Sequence, residues 1–465
     1  MAILSPGTSG PGTLLAFHGA GAVLGVAPFA SLLACIAVLP LVPRLAPWWE
    51  RLGSKALLSL AAAGAGTLSF VLAGGDPGAT IRTLLEYLAF IALLGSLYQV
   101  SGGIHITGAF SGLPWLNTAF LALGGILANV MGTTGASMVL LRPLLHANRR
   151  RGHRVHVVVF FLFVVSNSGG LLTPLGDPPL FLGFLRGVPF TWTLKLLPQW
   201  ALVQGLVLTV FHFLDEILFH REELETKAAL TEALRKAEKP IHLEGRPQAF
   251  LLLVILGTVL GGGAVVEPFL SARLEPARAA IAVQGFQILV LGGLAGLSIW
   301  LRSRPGGNAA FRHNGFSYVP LAEVALLFFG LFAAMLPVLA VLQELAPRLP
   351  LAKPWHFFWA SGLLSSFLDN APTYLGFATL AAAKSGLASH SLAPLASTNP
   401  ELLKAVACGS VLMGANTYIG NGPNFMVKAI AEHAGVKMPS FLGYMAWSLG
   451  VLVPVFVVVS LVFFR

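Results

Sequence analysis

Apolar runs of membrane-spanning length return from one end of the chain to the other, and some are broken midway by residues that lipid does not tolerate. Crossing the hydrocarbon core takes roughly 20 apolar residues, and plain candidates lie at about 21–43, 54–73, 81–100, 192–219, 248–266, 279–302, 320–345 and 441–464. The stretch SNSGGLLTPLGDPPLF, Ser166 to Phe181, instead sets prolines, glycines, an asparagine and an aspartate between VVVFFLFVV and LGFLRG. Backbone at membrane depth must find its own hydrogen-bond partners, and proline and glycine free such groups unless protein or water receives them. A lipid-facing helix cannot carry this stretch; a helix unwound around a protein-enclosed cavity can.

Composition removes the soluble alternatives. Of 465 residues, 56% are hydrophobic and 10% charged, against about 25% charged in soluble domains. The fold class expected is an all-α polytopic membrane protein. A net charge of +10 could indicate nucleic acid, but the basic residues fall in short loops between apolar runs, which fits membrane topology and argues against a nucleic-acid partner. Cys35 and Cys408 both sit in apolar runs without paired or metal-type spacing, so neither a disulfide framework nor a zinc site is expected. The first residues, MAILSPGTSGPGTLLAFHG, lack the basic region and cleavage pattern of a signal peptide.

Residues 220–247 change character abruptly, with Arg221, Lys227, Arg235, Lys236, Lys239 and Arg246 set against Glu222, Glu223, Glu225, Glu232, Glu238 and Glu244. This reads as a water-exposed linker between two halves, 1–219 and 248–465. Within it Leu230, Ala233, Leu234, Ala237 and Ile241 follow helical spacing and predict an amphipathic helix. Each half runs through the same order of events: three apolar spans, a long segment interrupted by polar residues (about 117–146 and 355–386), a second interrupted segment (about 155–186 and 401–434), and a closing span. Interrupted segments at corresponding positions of two halves point to a transporter binding site.

Loop charge sets the orientation. If the first interrupted segment of each half is a re-entrant hairpin, each half crosses five times and the two are inverted relative to each other. Arg44, Arg51 and Lys55, the cluster Arg149, Arg150, Arg151 and Arg154, and Arg302, Arg304 and Arg312 then fall on one side, which the positive-inside rule makes cytoplasmic. The linker is cytoplasmic and both termini lie outside, in what reads as a bacterial inner membrane.

Four polar breaks, ANVMGTT, SNSGGLLTPLGDPP, SSFLDNAPT and GANTYIGNGPN, occur in that order in the two halves. Together they resemble the ion transporter superfamily, which includes sodium/proton antiporters, arsenite pumps, and citrate and dicarboxylate transporters. The likeness covers nearly the whole chain. It implies hairpin tips and unwound helices meeting at mid-membrane, a homodimer, and elevator-type motion of one domain past another. The dicarboxylate branch carries Ser-Asn-Thr at both hairpin tips, where this chain has Ala128-Asn129-Val130 and Leu368-Asp369-Asn370.

The residues of the breaks are the candidate ligands. Asp369 at a hairpin tip and Asp177 in GDPP can hold a cation or a proton, since a carboxylate inside the membrane usually faces a cavity or partner; the plainer readings are a helix cap for Asp369 and a turn residue for Asp177. Asn129, Asn167, Asn370, Asn416 and Asn421 can ligate an ion through amide oxygens or tie down freed backbone. Thr133, Ser166, Thr173, Thr373 and Thr417 are weaker candidates because hydroxyls often bond back to the preceding turn. Asp369, Asp177, Asn370 and Asn167 form the expected set around transported Na+. Glu86 and Glu323 suit the macrodipole at helix starts, and Lys384, Lys428 and His433 fit helix ends where they can snorkel.

The function expected from the residues is secondary antiport of a monovalent cation, sodium, against protons, because two acids stand among oxygen donors with no Arg or Lys inside the four breaks. The alternative is cation-coupled uptake of citrate or another carboxylate, held by half-helix N-termini. No resident cofactor is implied, the partners being the lipid bilayer and a small ion or carboxylate. An enzyme is disfavoured: H-E-x-x-H and G-x-S-x-G are absent, and PLGD has Pro174 where the G-x-G-D of intramembrane aspartyl proteases has glycine.

Overall fold

The computed structural model describes residues 20–108, 111–223, 227–228, 231–232, 242–387 and 391–465. The apolar positions of the expected amphipathic helix, Leu230, Ala233, Leu234, Ala237 and Ile241, lie outside the described residues. The protein is helical, with one two-stranded antiparallel ribbon, β1 (His105–Thr107) and β2 (His242–Glu244), that the sequence reading does not anticipate. Ten helices among the described residues are long and apolar enough to cross a membrane.

Six long helices pack into one bundle: α1 (Ala20–Val38), α2 (Leu52–Leu72), α3 (Pro77–Gly102) and, from the second half, α8 (Arg246–Gly261), α9 (Pro276–Ser303) and α10 (Val319–Leu345). Small residues let α2 and α10 approach closely, Ser59 and Gly66 lying against Gly330 and Ala334, the device that replaces hydrophobic drive between helices in lipid. Lys55 of α2 is buried and reaches Glu323 of α10 at 2.8 Å.

A second bundle holds the interrupted segments. In the first half these are α4 (Pro114–Ala147), α5 (Val155–Val164), α6 (Pro178–Leu185) and α7 (Leu197–His220). In the second they are α11 (Pro354–Ser365), α12 (Asn370–Lys384), α13 (Pro400–Met413), α14 (Gly422–His433) and α15 (Phe441–Phe463). At its centre α5 is buried on every side, with Phe160, Phe161 and Phe163 fully enclosed, as a helix apolar all round must be. The two bundles meet along α3, which packs on α4 and α6, and along α10, which packs on α12.

Although α4 is long enough to span, it does not run straight. Its 34 residues would extend about 51 Å as one helix, yet Asn117 and Asn148, near its two ends, exchange side-chain hydrogen bonds at 3.0 and 2.8 Å. The chain reverses at Gly132, where φ +75° and ψ 154° are open to glycine alone. The root of this hairpin is clasped: Asp215 of α7, fully buried, receives Arg151 at 2.6 Å, His156 at 2.8 Å and Asn117 at 2.9 Å. Arg151 is therefore no solvated loop charge, and removing one partner of such a buried pair costs about 3–5 kcal/mol. In the second half α11 and α12 form the matching pair of arms, reversing over residues 366–369. The broken segment of that half is split into helices of 14 and 12 residues, each too short to cross alone.

Candidate functional site

The geometry begins with two prolines. Asp177 occupies the N-cap position of α6, but Pro178 and Pro179 follow it, and proline has no N–H to offer a capping carboxylate. Asp177 makes no cap hydrogen bond to its own helix. It is buried to 1% exposure, so its oxygens must be satisfied by other elements. One oxygen accepts from Thr133 Oγ1 at 3.2 Å and Asn421 Nδ2 at 3.4 Å, and the other accepts from Asn370 Nδ2. Each of the other three polar breaks thus sends one residue to this carboxylate.

The same construction appears twice. Asn421 holds the N-cap position of α14 with φ −153° and ψ 139°, close to the −147° and 142° of Asp177, and likewise leaves its own helix uncapped. Thr133 and Asn370 both stand directly after the reversal of a hairpin. Behind each break a threonine ties the broken helix to its hairpin: Thr173 donates to the Asn129 carbonyl and Thr417 to the Ser366 carbonyl. The crossing of each break is tight. A Cβ on Gly176 would lie 2.2 Å from the Gly170 carbonyl oxygen, and one on Gly420 would lie 2.6 Å from that of Gly414.

Around this hub the remaining candidates divide. Asn167 is fully buried, donates to the Leu162 carbonyl and to Asn424 Oδ1 at 2.8 Å each, and accepts from Asn421 at 3.1 Å. Asn129 and Asn416 hold the sutures, Asn129 accepting from Leu172 N at 2.8 Å and Asn416 donating to Ser366 Oγ at 2.9 Å. Ser166 pairs with Ser137 at 2.8 Å, and Thr373 bonds back to the Asp369 carbonyl at 3.0 Å. Asp369 stands apart from the hub contacts: it is half-buried, and its Oδ1 accepts from Ala371 N at 3.1 Å, capping α12. The tips do not correspond as Asn129 and Asp369; by their hydrogen bonds Asn129 matches Ser366, and Gly132 matches Asp369.

Two buried amide oxygens in this network, Asn370 Oδ1 and Asn416 Oδ1, have no hydrogen-bond partner among the described residues. No lysine or arginine pairs with Asp177 among those residues either. Beside the hub a cavity of about 40 Å³ opens between the bundles, lined on one side by Phe90, Leu97 and Tyr98 of α3 and on the other by Thr133, Gly135, Leu175 and Asp177. Such a space holds about three waters. The N-terminus of α6 faces it but offers no free N–H, because Pro178 and Pro179 have none and Leu180 N and Phe181 N bond to the Asp177 carbonyl; what the cavity meets there is the Asp177 carboxylate, which attracts a cation.

The family description "Putative citrate transport" matches residues 20–464. The chain belongs to this family. No curated protein matches it. Family membership and the apolar helices make it an integral membrane transporter and not an enzyme, and they favour the carboxylate reading over cation/proton antiport.

Several partners in this site escape sequence reasoning. Asn424 follows directly on GNGP, yet nothing in the string says that its amide spans Asn167 and the carbonyls of Gly414 and Thr417. Ser137 and Ser366 are single hydroxyls in apolar segments, without a local signal. Glu86 and Glu323 are not simply dipole residues, because each has a basic partner, Arg186 at 3.1 Å and Lys55 at 2.8 Å. The first of these pairs joins α3 to the end of α6, across the boundary between bundles.

Proposed function

We propose that the protein is a cation-coupled secondary carrier of citrate or another carboxylate, with sodium as the coupling ion. The observation that carries this reading is the family match over residues 20–464; the site supports it by placing the Asp177 carboxylate, without a basic partner among the described residues, beside a cavity where a coupling cation can sit. In this reading Asp177 with the unpartnered oxygens of Asn370 and Asn416 takes the cation, since hard cations prefer oxygen ligands. A carboxylate group of the solute enters the cavity and meets that cation. The bound cation supplies the positive charge that no Arg or Lys provides.

The two halves act as inverted repeats, the side bearing residues 149–154 is cytoplasmic, and the bundle of broken helices moves past the other in elevator fashion, as a homodimer. Support for the movement comes from the cavity itself. At about 40 Å³ it is too small for a tricarboxylate, so loading requires the bundles to separate along α3. A second reading, sodium/proton antiport, draws on the same small cavity and on Asp177 as a carboxylate able to bind either ion.

Purified protein in liposomes decides between them. An inward sodium gradient drives accumulation of radiolabelled citrate, or of another carboxylate in a small panel, above empty vesicles. Absence of all such uptake, with sodium efflux driven by a pH gradient in carboxylate-free buffer, overturns the carrier reading in favour of antiport.

A further inference from the structure

Arg142 lies on the returning arm of the α4 hairpin, nine residues beyond Thr133, which places it about 14 Å along the helix from the hub. Between residues 133 and 146 only Thr134, Arg142 and His146 reach the surface; every other position is buried. Gly135, which lines the cavity, is seven residues before Arg142 and therefore on the same helix face. On that face the arm meets α3 and the loop before α10: a Cβ on Gly135 would fall 2.6 Å from Ser101 Oγ, and one on Gly315 would fall 2.7 Å from Arg142 Nη2. The packed seam between the bundles thus runs from the cavity at Asp177 along this face to Arg142.

Among the described residues the guanidinium has no hydrogen-bonding or ionic partner. Its Nε is buried without a hydrogen bond, and no carboxylate pairs with it. Glu244, whose strand partner His105 reaches Asn314 beside Gly315, is engaged by His313 at 3.0 Å. Halfway along this seam, Ser101 Oγ is also fully buried and unpartnered. An unpaired arginine whose Nε is buried is costly, and its planar fork suits a carboxylate.

We infer that Arg142 is a carboxylate-receiving residue at the outer end of this seam, taking one carboxylate group of the solute on its way to or from the Asp177 hub when the bundles separate, with the Ser101 hydroxyl as a stepping contact. The inference rests on the carrier reading and adds to it a second anion contact. Arg142 is a solute-binding residue: it sets affinity on one side of the membrane and leaves the translocation step alone.

The test uses oriented membrane vesicles carrying full-length wild type, Arg142→Gln and Arg142→Lys. With citrate presented from the side of residues 149–154, R142Q raises KM about tenfold, the loss of one charge-assisted contact, while the maximal rate stays within about twofold and R142K recovers most of the affinity. From the opposite side KM is unchanged. Equal KM for R142Q and wild type from both sides overturns the inference while leaving the carrier reading intact. A fall in rate from both sides with a lowered melting temperature assigns Arg142 a packing role and also overturns it. An effect that appears only in vesicles rich in anionic lipid assigns the guanidinium to a lipid phosphate, and that result overturns the inference too. If wild type carries no carboxylate in these vesicles, the carrier reading fails and takes this inference with it.

Discussion

The two broken helices are built alike and charged differently. Each crosses itself at a glycine pair, is sewn to its hairpin by a threonine, and starts its second half-helix with a residue that leaves the cap unfilled. In the first half that residue is Asp177; in the second it is Asn421. An amide in place of a carboxylate keeps the shape and drops the charge, so the frame is duplicated while the charge is local. The polar breaks therefore have two separable jobs, holding an unwound backbone in a membrane and binding a solute, and the asymmetric residues do the second.

Substituting the two N-cap residues tests that separation most severely. Asp177→Asn should lower sodium-dependent carboxylate uptake at least a hundredfold in liposomes while the protein still folds, because three amide and hydroxyl donors can re-pair with an amide. Asn421→Ala should cost nearer tenfold, since it removes a donor and no charge. Equal losses at the two positions would break the comparison.

Backbone crowding comes next. Gly176→Ala puts a methyl group 2.2 Å from the Gly170 carbonyl and Gly420→Ala one 2.6 Å from that of Gly414; overpacking of this kind costs about 1–3 kcal/mol or more. Both should lower the melting temperature in detergent, with Gly176→Ala the worse, while Gly422→Ala, which meets nothing within 4 Å, should melt like wild type. A tolerated Gly176→Ala would mean that the first crossing is looser than its partner.

Thr173→Val and Thr417→Val each delete one suture, worth about 1 kcal/mol. Their melting temperatures should fall by similar amounts, and a large difference would show that the halves are not held together in the same way.

The smallest effect concerns the hairpin roots. The first is held by Glu222, whose carboxylate accepts from Gly152 N at 3.0 Å and His153 N at 2.9 Å. Burial pushes this carboxyl upward, but those hydrogen bonds and the charge of Arg151 outweigh it and leave it below the ordinary 4.5. The lowered value means that Glu222 stabilises the root above that pH and loses its contribution as pH falls through it. Amide exchange at residues 149–154 should rise on acidification below about pH 4.5, more than in Glu222→Gln. The second root, where His356 accepts from Ala352 N and Lys353 N, has no carboxylate in that role.

Much of this architecture was legible because lipid punishes unsatisfied backbone. Apolar runs marked the spans, and prolines and glycines marked the breaks, since such residues survive at that depth only where protein encloses them. The convergence on Asp177 was half legible. The string GDPP names the carboxylate and removes its local donors, but which distant amides replace them depends on how four segments pack. Asp369 shows the limit: the same residue type at a hairpin tip finds Ala371 N within reach, because Pro372 comes one position too late to block the cap. Arg142 is a lone arginine inside the first interrupted segment, and Arg151 and Lys55 read as loop charges in the string. Only packing separates the unpaired first from the buried second, held by Asp215, and the third, seated on Trp49 and bound to Glu323.

The clasp at the root of the α4 hairpin has a consequence for motion. With both strands of the root stitched to each other and to α7 through a fully enclosed carboxylate, the hairpin has no pivot about which to lift. A flap welded at its hinge travels with the wall to which it is welded. Access to Asp177 from the side of residues 149–154 is then set by the seam along α3, and a cross-link locking that seam should arrest turnover, whereas one stapling the hairpin to α7 should be harmless.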